Sequence, residues 1–130
     1  MVGCSINHKE KTVPPKVMIV DDDRTMNSLL QTLLELDGFS VVLCPHGDEV
    51  LSTAAAQKPD VILMDLHIGE ADGVDLLRQI RQHPELKSLP VVMSSGMDRE
   101  DECTAAGANA FVLKPYPPDQ LSSALRKVLA

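Results

Sequence analysis

Four short apolar runs of this sequence are each followed at once by side chains that can do chemistry. Three carboxylates follow the run VMIV (17–20) with no spacer, and polar residues follow three later runs: Asp21, Asp22, Asp23, Asp65, Ser94, Ser95 and Lys114. Carboxylates that lie close together repel one another unless a cation neutralises them. An all-oxygen site open to water suits Mg²⁺, which binds few protein ligands and keeps several waters. Mg²⁺, a lysine and a hydroxyl group together are suited to phosphoryl chemistry.

Each of these residues also has an ordinary structural explanation. A single aspartate after a strand is often a turn residue or a helix cap, and Asp23, directly before Arg24, is predicted to be such a cap. Lys114 with Pro115 is compatible with a plain loop, and Ser94 with a strand position. The positions together favour one shared site, because ligands of an open parallel sheet bind beyond the carboxyl ends of its strands.

Five apolar runs alternate with amphipathic segments along the chain. The runs are apolar throughout, as expected for strands that are covered on both faces: VMIV (17–20), VVLC (41–44), VILM (61–64), VVMS (91–94) and AFVL (110–113). Helical spacing of apolar residues, with stops at Gly38, Pro59 and Pro84, predicts a helix after each run, the fourth of them over 98–106. This alternation implies right-handed crossovers and a parallel sheet between layers of helices, in the α/β class.

Composition and charge narrow the range of functions. The 130 residues are 44% hydrophobic and 24% charged, which is typical of one globular domain. The net charge is −7 and no long run of Lys and Arg occurs, so direct binding to nucleic acid is not expected. The aromatic residues Phe39, Phe111 and Tyr116 offer little surface for stacking bases or sugars. These features favour a surface for protein partners.

The N-terminal residues and the cysteines indicate in which cellular compartment the protein is found. Residues 1–15 are polar and end in two prolines, which favours a flexible N-terminal tail before a folded domain at 16–130. The three cysteines are widely spaced and form no metal-site pair, so reduced thiols are expected: Cys4, Cys44 and Cys103. No signal peptide precedes Cys4, and no stretch reaches the roughly 18 apolar residues of a membrane span. The sequence therefore predicts a cytoplasmic protein without membrane contact.

From about Lys16 to Ala130 the sequence resembles a receiver domain of the two-component response regulators. The resemblance rests on four blocks that occur in the family's order: VMIVDDDRTMNSLLQTLLELDGF, PDVILMDLHIGEADGVDLLRQIR, LPVVMSSG and GANAFVLKPY. It implies a flavodoxin-like, doubly wound (βα)5 fold with a five-stranded parallel sheet of order 2-1-3-4-5. It also implies a signalling domain, not an enzyme, that catalyses only its own phosphotransfer and autodephosphorylation.

The resemblance assigns roles to the candidate residues of the site. Asp65 resembles the phosphoacceptor, which attacks the phosphohistidine of a partner kinase to give an acyl phosphate. Asp22 would bind Mg²⁺ directly and Asp21 mainly through a metal-bound water, while the backbone carbonyl of His67 would join Asp65 among the ligands. Lys114 would pair with a phosphoryl oxygen.

Further positions match the family's switch. Ser95 resembles the hydroxyl residue that moves toward the phosphoryl group, and Phe111 resembles the aromatic residue whose inward rotation accompanies that move. The peptide bond from Lys114 to Pro115 is expected to be cis. Such switching is a shift in population between two packings of the domain, which the contacts of the phosphoryl group bias.

Three features depart from the family's usual pattern. Gly69 stands where a proline is usual, which would loosen the loop after the acceptor. His67 is a less common residue at its position, and with Met97 it flanks the path of the water that hydrolyses the acyl phosphate. These two residues are therefore expected to tune the lifetime of the phosphorylated state. The segment 95–107 is roughly three residues shorter than usual, near one helical turn, which affects the fourth helix and the signalling face.

Other interpretations of the same motifs stay open to different degrees. A haloacid-dehalogenase-like phosphatase would need its nucleophile directly after the first strand in a D-x-D-type motif, which DDD fits only superficially. It would also need a cap domain, for which this sequence has no length. A cobalamin-binding module would need the glycine of DLHIG (65–69) one residue later and a later glycine pair. A transition-metal site at His67 lacks other histidines close in sequence. A receiver-like binding module that is never phosphorylated is the main rival, and a phosphorylation assay separates it from a working receiver.

The resemblance implies classes of partner. A sensor histidine kinase or a phosphotransfer protein would supply the phosphoryl group, and a downstream protein target or an output domain would recognise the switched face. A homodimer through the fourth and fifth elements is a further expectation for the family. The sequence ends directly after the fifth helical segment, so it fits both a stand-alone receiver and a piece of a longer regulator.

Overall fold

A computed structural model describes residues 13–130 of the chain, and the helices and strands below refer to that range. The elements follow one another in this order: β1 (Lys16–Val20), α1 (Arg24–Leu36), β2 (Ser40–Cys44), α2 (Val50–Gln57), β3 (Val61–Asp65), β4 (His67–Ile68), β5 (Ala71–Asp72), α3 (Gly73–Gln82), β6 (Val91–Ser95), α4 (Glu100–Ala105), β7 (Ala110–Leu113) and α5 (Pro118–Leu129). Each of the five apolar runs forms a strand, and each is followed by a helix.

The main sheet has five parallel strands in the order β2-β1-β3-β6-β7. Counting these five strands along the chain gives the order 2-1-3-4-5, which confirms the predicted topology. The two remaining strands, β4 and β5, form a separate antiparallel hairpin directly after β3. This hairpin was not predicted from the sequence, because two-residue strands are too short to show a periodic pattern.

The three central strands are buried on both faces, and this explains their continuous apolar sequences. Alternate side chains of β1 enter two different clusters: Met18 and Val20 pack on one side of the sheet, and Val17 and Ile19 on the other. The prediction of full coverage is wrong for the two edge strands. Leu43 in β2 is 37% exposed and Leu113 in β7 is 45% exposed, because an edge strand has a neighbour on one side only.

Local signals in the sequence set the ends of several helices. The Asp23 side chain accepts a hydrogen bond from the Met26 N–H at 3.0 Å, so the predicted helix cap is confirmed. Helix α2 ends at Lys58, whose left-handed φ of 50° turns the chain before Pro59. The fourth helix has only six residues, in agreement with the short segment noted in the sequence.

The structure bears on three further predictions, which concern the N-terminal tail, the cysteines and membrane-spanning segments. Residues 1–12 of the predicted tail, with Cys4, lie outside the described residues. Cys44 and Cys103 are free thiols in the core, and burial raises the pKa of both. Within residues 13–130, no helix is both long and apolar enough to cross a membrane.

Candidate functional site

The carboxyl ends of β1, β3 and β7 bring an ammonium group between two carboxylates. Lys114 directly follows β7, and its Nζ lies 2.8 Å from Oδ1 of Asp65 and 3.3 Å from Oδ2 of Asp21. Asp65 is the last residue of β3, and Asp21 is the first residue after β1. Their side chains are 13% and 8% exposed, against 28% for Lys114. Three residues far apart in sequence therefore meet at one half-buried site.

Asp65 is held by its own loop as well as by Lys114. Its Oδ2 accepts a hydrogen bond from the backbone N–H of His67 at 3.1 Å. Behind it, the N–H of Gly73 donates to the carbonyl oxygen of Leu66 at 2.7 Å. A Cβ on Gly73 would lie 2.5 Å from the Asp65 carbonyl oxygen, so α3 starts in direct contact with the acceptor's backbone. Gly73 was not among the residues predicted from the sequence, because it lies outside the polar cluster.

The two neighbouring aspartates after β1 have different surroundings. Asp21 is buried, and its Oδ1 accepts a hydrogen bond from the Asp23 N–H at 3.0 Å. Asn27, itself buried, donates from Nδ2 to the Asp21 carbonyl oxygen at 2.8 Å, while its Oδ1 has no partner. Asp22 is exposed, and its Oδ2 accepts a hydrogen bond from the Gly69 N–H at 2.8 Å. The buried carboxylate thus faces Lys114, and the exposed one faces the hairpin loop.

Burial and charge act against each other in this site. Burial raises the pKa of Asp21, although the Asp23 N–H and the charge of Lys114 lower it in part. Burial by itself lowers the pKa of Lys114, but the hydrogen bond to Asp65 and the charges of Asp21 and Asp65 outweigh burial, so this pKa is raised. Lys114 therefore remains an ammonium group at neutral pH, where it neutralises part of the acidic cluster.

The oxygen donors of the site fit Mg²⁺. Within the described part of the chain, no group of three or more His, Cys, Asp or Glu side chains is arranged to hold a metal ion by itself. Mg²⁺ needs only one or two protein carboxylates because it keeps several of its waters. The exposed Asp22 carboxylate and the His67 carbonyl are oxygen groups of the kind this ion prefers, and they would hold it here. A transition-metal site at His67, the weak alternative weighed from the sequence, has no such group around it within residues 13–130.

Ser95 is the last residue of β6, which pairs with β7, the strand that Lys114 follows. Its carbonyl oxygen accepts a hydrogen bond from the Lys114 N–H at 2.8 Å, and its Oγ accepts one from the Met97 N–H at 3.1 Å. The side chain is buried, so the hydroxyl group is held at the end of its strand. Met97 is 65% exposed, and it contacts this hydroxyl group through its backbone N–H.

The remaining predicted residues lie on β7, in the loop after it and on the β4–β5 hairpin. Phe111 is half-buried and packs against the core cluster that contains Met93, its partner on β6. The peptide bond between Lys114 and Pro115 is cis. His67 opens the β4–β5 hairpin and is exposed. Except for Phe111, which lies within β7, these residues lie in the loops that follow the carboxyl ends of the strands.

We expect Lys114→Met to destabilise the folded protein at pH 7 by about 1 to 3 kcal/mol, between the values for exposed and for buried ion pairs. The variant leaves Asp21 and Asp65 without their cation. Burial raises the pKa of Asp21 in the folded protein, and loss of the Lys114 charge raises it further. The penalty for the charged form therefore grows as the pH rises from the ordinary pKa of the carboxyl group to the raised one and is constant above it. The destabilisation should therefore be smaller at about pH 4 than at pH 7. Urea unfolding at both pH values measures it, and equal losses would contradict the explanation.

Comparison with known proteins gives a family match over most of the chain. A family model described as the response regulator receiver domain matches residues 17–126. The chain is 30% identical over 117 residues to the alkaline phosphatase synthesis transcriptional regulatory protein PhoP of Bacillus subtilis. It is 31% identical over 118 residues to the phosphate regulon transcriptional regulatory protein PhoB of Rhizobium meliloti. These matches cover 88% of this chain but 48% and 52% of the relatives, so the chain spans about half of their length.

Solved structures match the same part of the chain. The chemotaxis response regulator CheY4 of Vibrio cholerae is 27% identical with a TM-score of 0.83, and the match covers 89% of this chain and 99% of that one. The BeF3-activated N-terminal receiver domain of Klebsiella pneumoniae RstA is 30% identical with a TM-score of 0.80, and the match covers 88% and 97% of the two chains. The fold described above therefore corresponds to almost the whole of both structures.

Proposed function

Because the chain belongs to the response regulator receiver domain family, we propose that it accepts a phosphoryl group on Asp65 in a two-component or phosphorelay pathway. The observation that carries this proposal is the position of the Lys114 ammonium group, 2.8 Å from the Asp65 carboxylate and 3.3 Å from that of Asp21. A cation fixed beside a carboxylate can stabilise the negative charge of an incoming phosphoryl group.

The proposed reaction transfers a phosphoryl group from a phosphohistidine to Asp65. A carboxylate oxygen of Asp65 attacks the phosphorus atom, a P–O bond forms, and the P–N bond breaks. The imidazole leaves with the electron pair of that bond and takes up a proton, and the product is an acyl phosphate. Lys114 would exchange part of its contact with Asp65 for a phosphoryl oxygen.

The magnesium ligands are part of the same proposal. Asp22 would bind the ion directly, Asp21 would act mainly through a metal-bound water, and the His67 carbonyl and Asp65 would complete the protein ligands. When bound, Mg²⁺ supplies positive charge that neutralises the carboxylates and the phosphoryl group. The raised pKa of Asp21 supports this role, because a buried carboxylate that holds its charge poorly gains most from a nearby cation.

We further propose that the phosphoryl group changes the surface that other proteins bind. Ser95 would move toward the phosphoryl group, and Phe111 would rotate inward from its present half-buried position. The hydrogen bond from the Met97 N–H to Ser95 Oγ at 3.1 Å is a contact that this movement would change. The outcome is a population shift that the phosphorylated site biases.

The partners and the location follow from the same proposal. A sensor histidine kinase or a phosphotransfer protein would supply the phosphoryl group, and a downstream target or an output domain would bind the switched face, with a homodimer as one form of the active state. We propose a cytoplasmic location and a folded domain over 16–130. The free thiols of Cys44 and Cys103 support a reducing compartment.

His67 and Met97 are proposed to control the lifetime of the acyl phosphate, because both side chains are exposed beside the site. Replacing both by alanine should open the path of the attacking water and speed autodephosphorylation by about threefold, which corresponds to roughly 0.7 kcal/mol of barrier. Loss of the phosphorylated mass with time measures the rate. Leu36→Ala is the matched control, since Leu36 is 81% exposed on α1. An unchanged rate in the double variant would refute the assignment.

The proposed function is tested by incubating the protein with a small-molecule phosphodonor and measuring its intact mass. We expect one added phosphoryl group in the presence of Mg²⁺ and none when a chelator removes the ion. A protein that gains no phosphoryl group from any donor would instead be a receiver-like binding module.

A further inference from the structure

The loop after the acceptor forms a tight hairpin that turns at Gly69. Strands β4 and β5 pair through His67 with Asp72 and through Ile68 with Ala71, which leaves two residues for the turn. Gly69 is the first of these two and has a φ of +60°. A positive φ at the first turn position is typical of a type II′ turn, which favours glycine there.

The backbone of this turn contacts the exposed aspartate after β1. The Gly69 N–H donates to Oδ2 of Asp22 at 2.8 Å, across 47 residues of sequence. A hydrogen bond to a charged carboxylate is stronger than one between neutral groups. It engages one oxygen of Asp22 and leaves the other available to a cation. The family's usual proline at this position has no N–H and could not make this contact.

We infer that the Gly69 N–H is a positioning group for the magnesium site. By holding Asp22 against the hairpin that carries the His67 carbonyl, it fixes two ligands from different elements before the ion binds. Ligands that are already ordered lose less freedom on binding, and this raises affinity. The inference rests on the proposed function, which makes Asp22 and the His67 carbonyl ligands.

Calorimetric titration of Mg²⁺ into the wild type and three variants tests the inference. Gly69→Pro removes the donor and should weaken Mg²⁺ binding about tenfold, as expected for a group that orients a metal ligand. Gly69→Ala is the control: it keeps the N–H, can hold the positive φ at a modest cost where proline cannot, and adds a Cβ only 3.9 Å from Asp22 Oδ2, an ordinary contact. Its affinity should fall by roughly twofold at most. Equal affinities of Gly69→Pro and Gly69→Ala would overturn the inference.

The third variant, Asp22→Ala, separates this inference from the proposed function. If Asp22→Ala binds Mg²⁺ as the wild type does, the proposed metal site fails, and the positioning role fails with it. If Asp22→Ala loses binding while the two Gly69 variants bind equally, only the positioning role fails.

A second measurement covers the case in which Gly69→Pro does not fold. In the metal-free wild type, the NMR signal of the Gly69 amide proton should shift upfield when Asp22 is replaced by alanine, because the hydrogen bond is lost. An unchanged signal would overturn the inference without any use of the proline variant.

Discussion

Asp65→Asn is expected to abolish phosphoryl uptake while leaving the domain folded. The amide keeps the shape of the carboxyl group but has no charged oxygen to attack phosphorus, so the added phosphoryl mass should fall below detection. Burial is the main reason that the pKa of Asp21 is raised, and the change removes the smaller contribution from the Asp65 charge. Lys114 keeps Asp21 as a partner at 3.3 Å. Intact-mass measurement with a phosphodonor and Mg²⁺ tests the loss of phosphoryl uptake, and urea unfolding tests whether the domain stays folded.

A matched control for this variant lies on α3, a few residues away in sequence. Asp75 is also an aspartate, but its side chain is 64% exposed and pairs with Arg78 on the same helix. Asp75→Asn should take up the phosphoryl group as the wild type does. If Asp65→Asn were phosphorylated to the same extent as Asp75→Asn, Asp65 would not be the acceptor.

Gly73→Ala is expected to destabilise the protein by about 2 to 3 kcal/mol, in the range for overpacked sites, and to slow phosphorylation. The added Cβ would lie 2.5 Å from the Asp65 carbonyl oxygen and 2.9 Å from the Leu66 Cα, and both of these atoms belong to backbone. To relieve the contact, α3 and the acceptor would have to move apart. The gain from alanine's better helix propensity, at most about 1 kcal/mol, is too small to compensate.

Gly96→Ala is the control for the glycine variant, because a Cβ at Gly96 would meet no atom within 4 Å. Its free energy of unfolding should stay within about 0.5 kcal/mol of the wild type, as for a surface substitution. Urea unfolding of both variants and the initial rate of phosphorylation of Gly73→Ala measure the effects. Equal stabilities of the two variants would show that the close approach of α3 is not needed.

Patterns that extend over several residues made most of the fold predictable. A run such as VILM is apolar at every position because β3 has a neighbouring strand on each side and a cluster of side chains on each face. The same logic brings Asp21, Asp65 and Lys114 together, since parallel strands end at one edge. The cap at Asp23 could be predicted because its residue type and position before a helix form a local signal.

Contacts between segments that are brought together only by the folded structure could not be predicted from the sequence. Gly73 shows no pattern in the sequence, and its importance becomes visible only when α3 is placed against the acceptor's backbone. Asn27 is similar: its bond to the Asp21 carbonyl requires the first turn of α1 to fold back over the end of β1. The departure at Gly69 was visible in the sequence, but its contact with Asp22 was not, because 47 residues separate the two.

The contacts of Arg81 could not be predicted from the sequence either. Arg81 donates to the carbonyl oxygens of Gly107 and Leu89 and to Oδ1 of Asn109, with distances of 2.8 to 3.0 Å. Asn109 in turn accepts a hydrogen bond from the Val91 N–H at 2.9 Å. This network connects α3 to the residues just before β6 and β7. In the sequence, however, an arginine near the end of an amphipathic helix is indistinguishable from an ordinary surface residue.

The central claim, that Asp65 carries the phosphoryl group, is tested most directly by chemical trapping. After incubation with a phosphodonor and Mg²⁺, borohydride reduces an aspartyl phosphate to homoserine, and peptide mass spectrometry then locates the converted residue. We predict homoserine at position 65, formed only when both the donor and Mg²⁺ are present. Homoserine at another aspartate, or none at position 65 in a protein whose mass shows an added phosphoryl group, would contradict it.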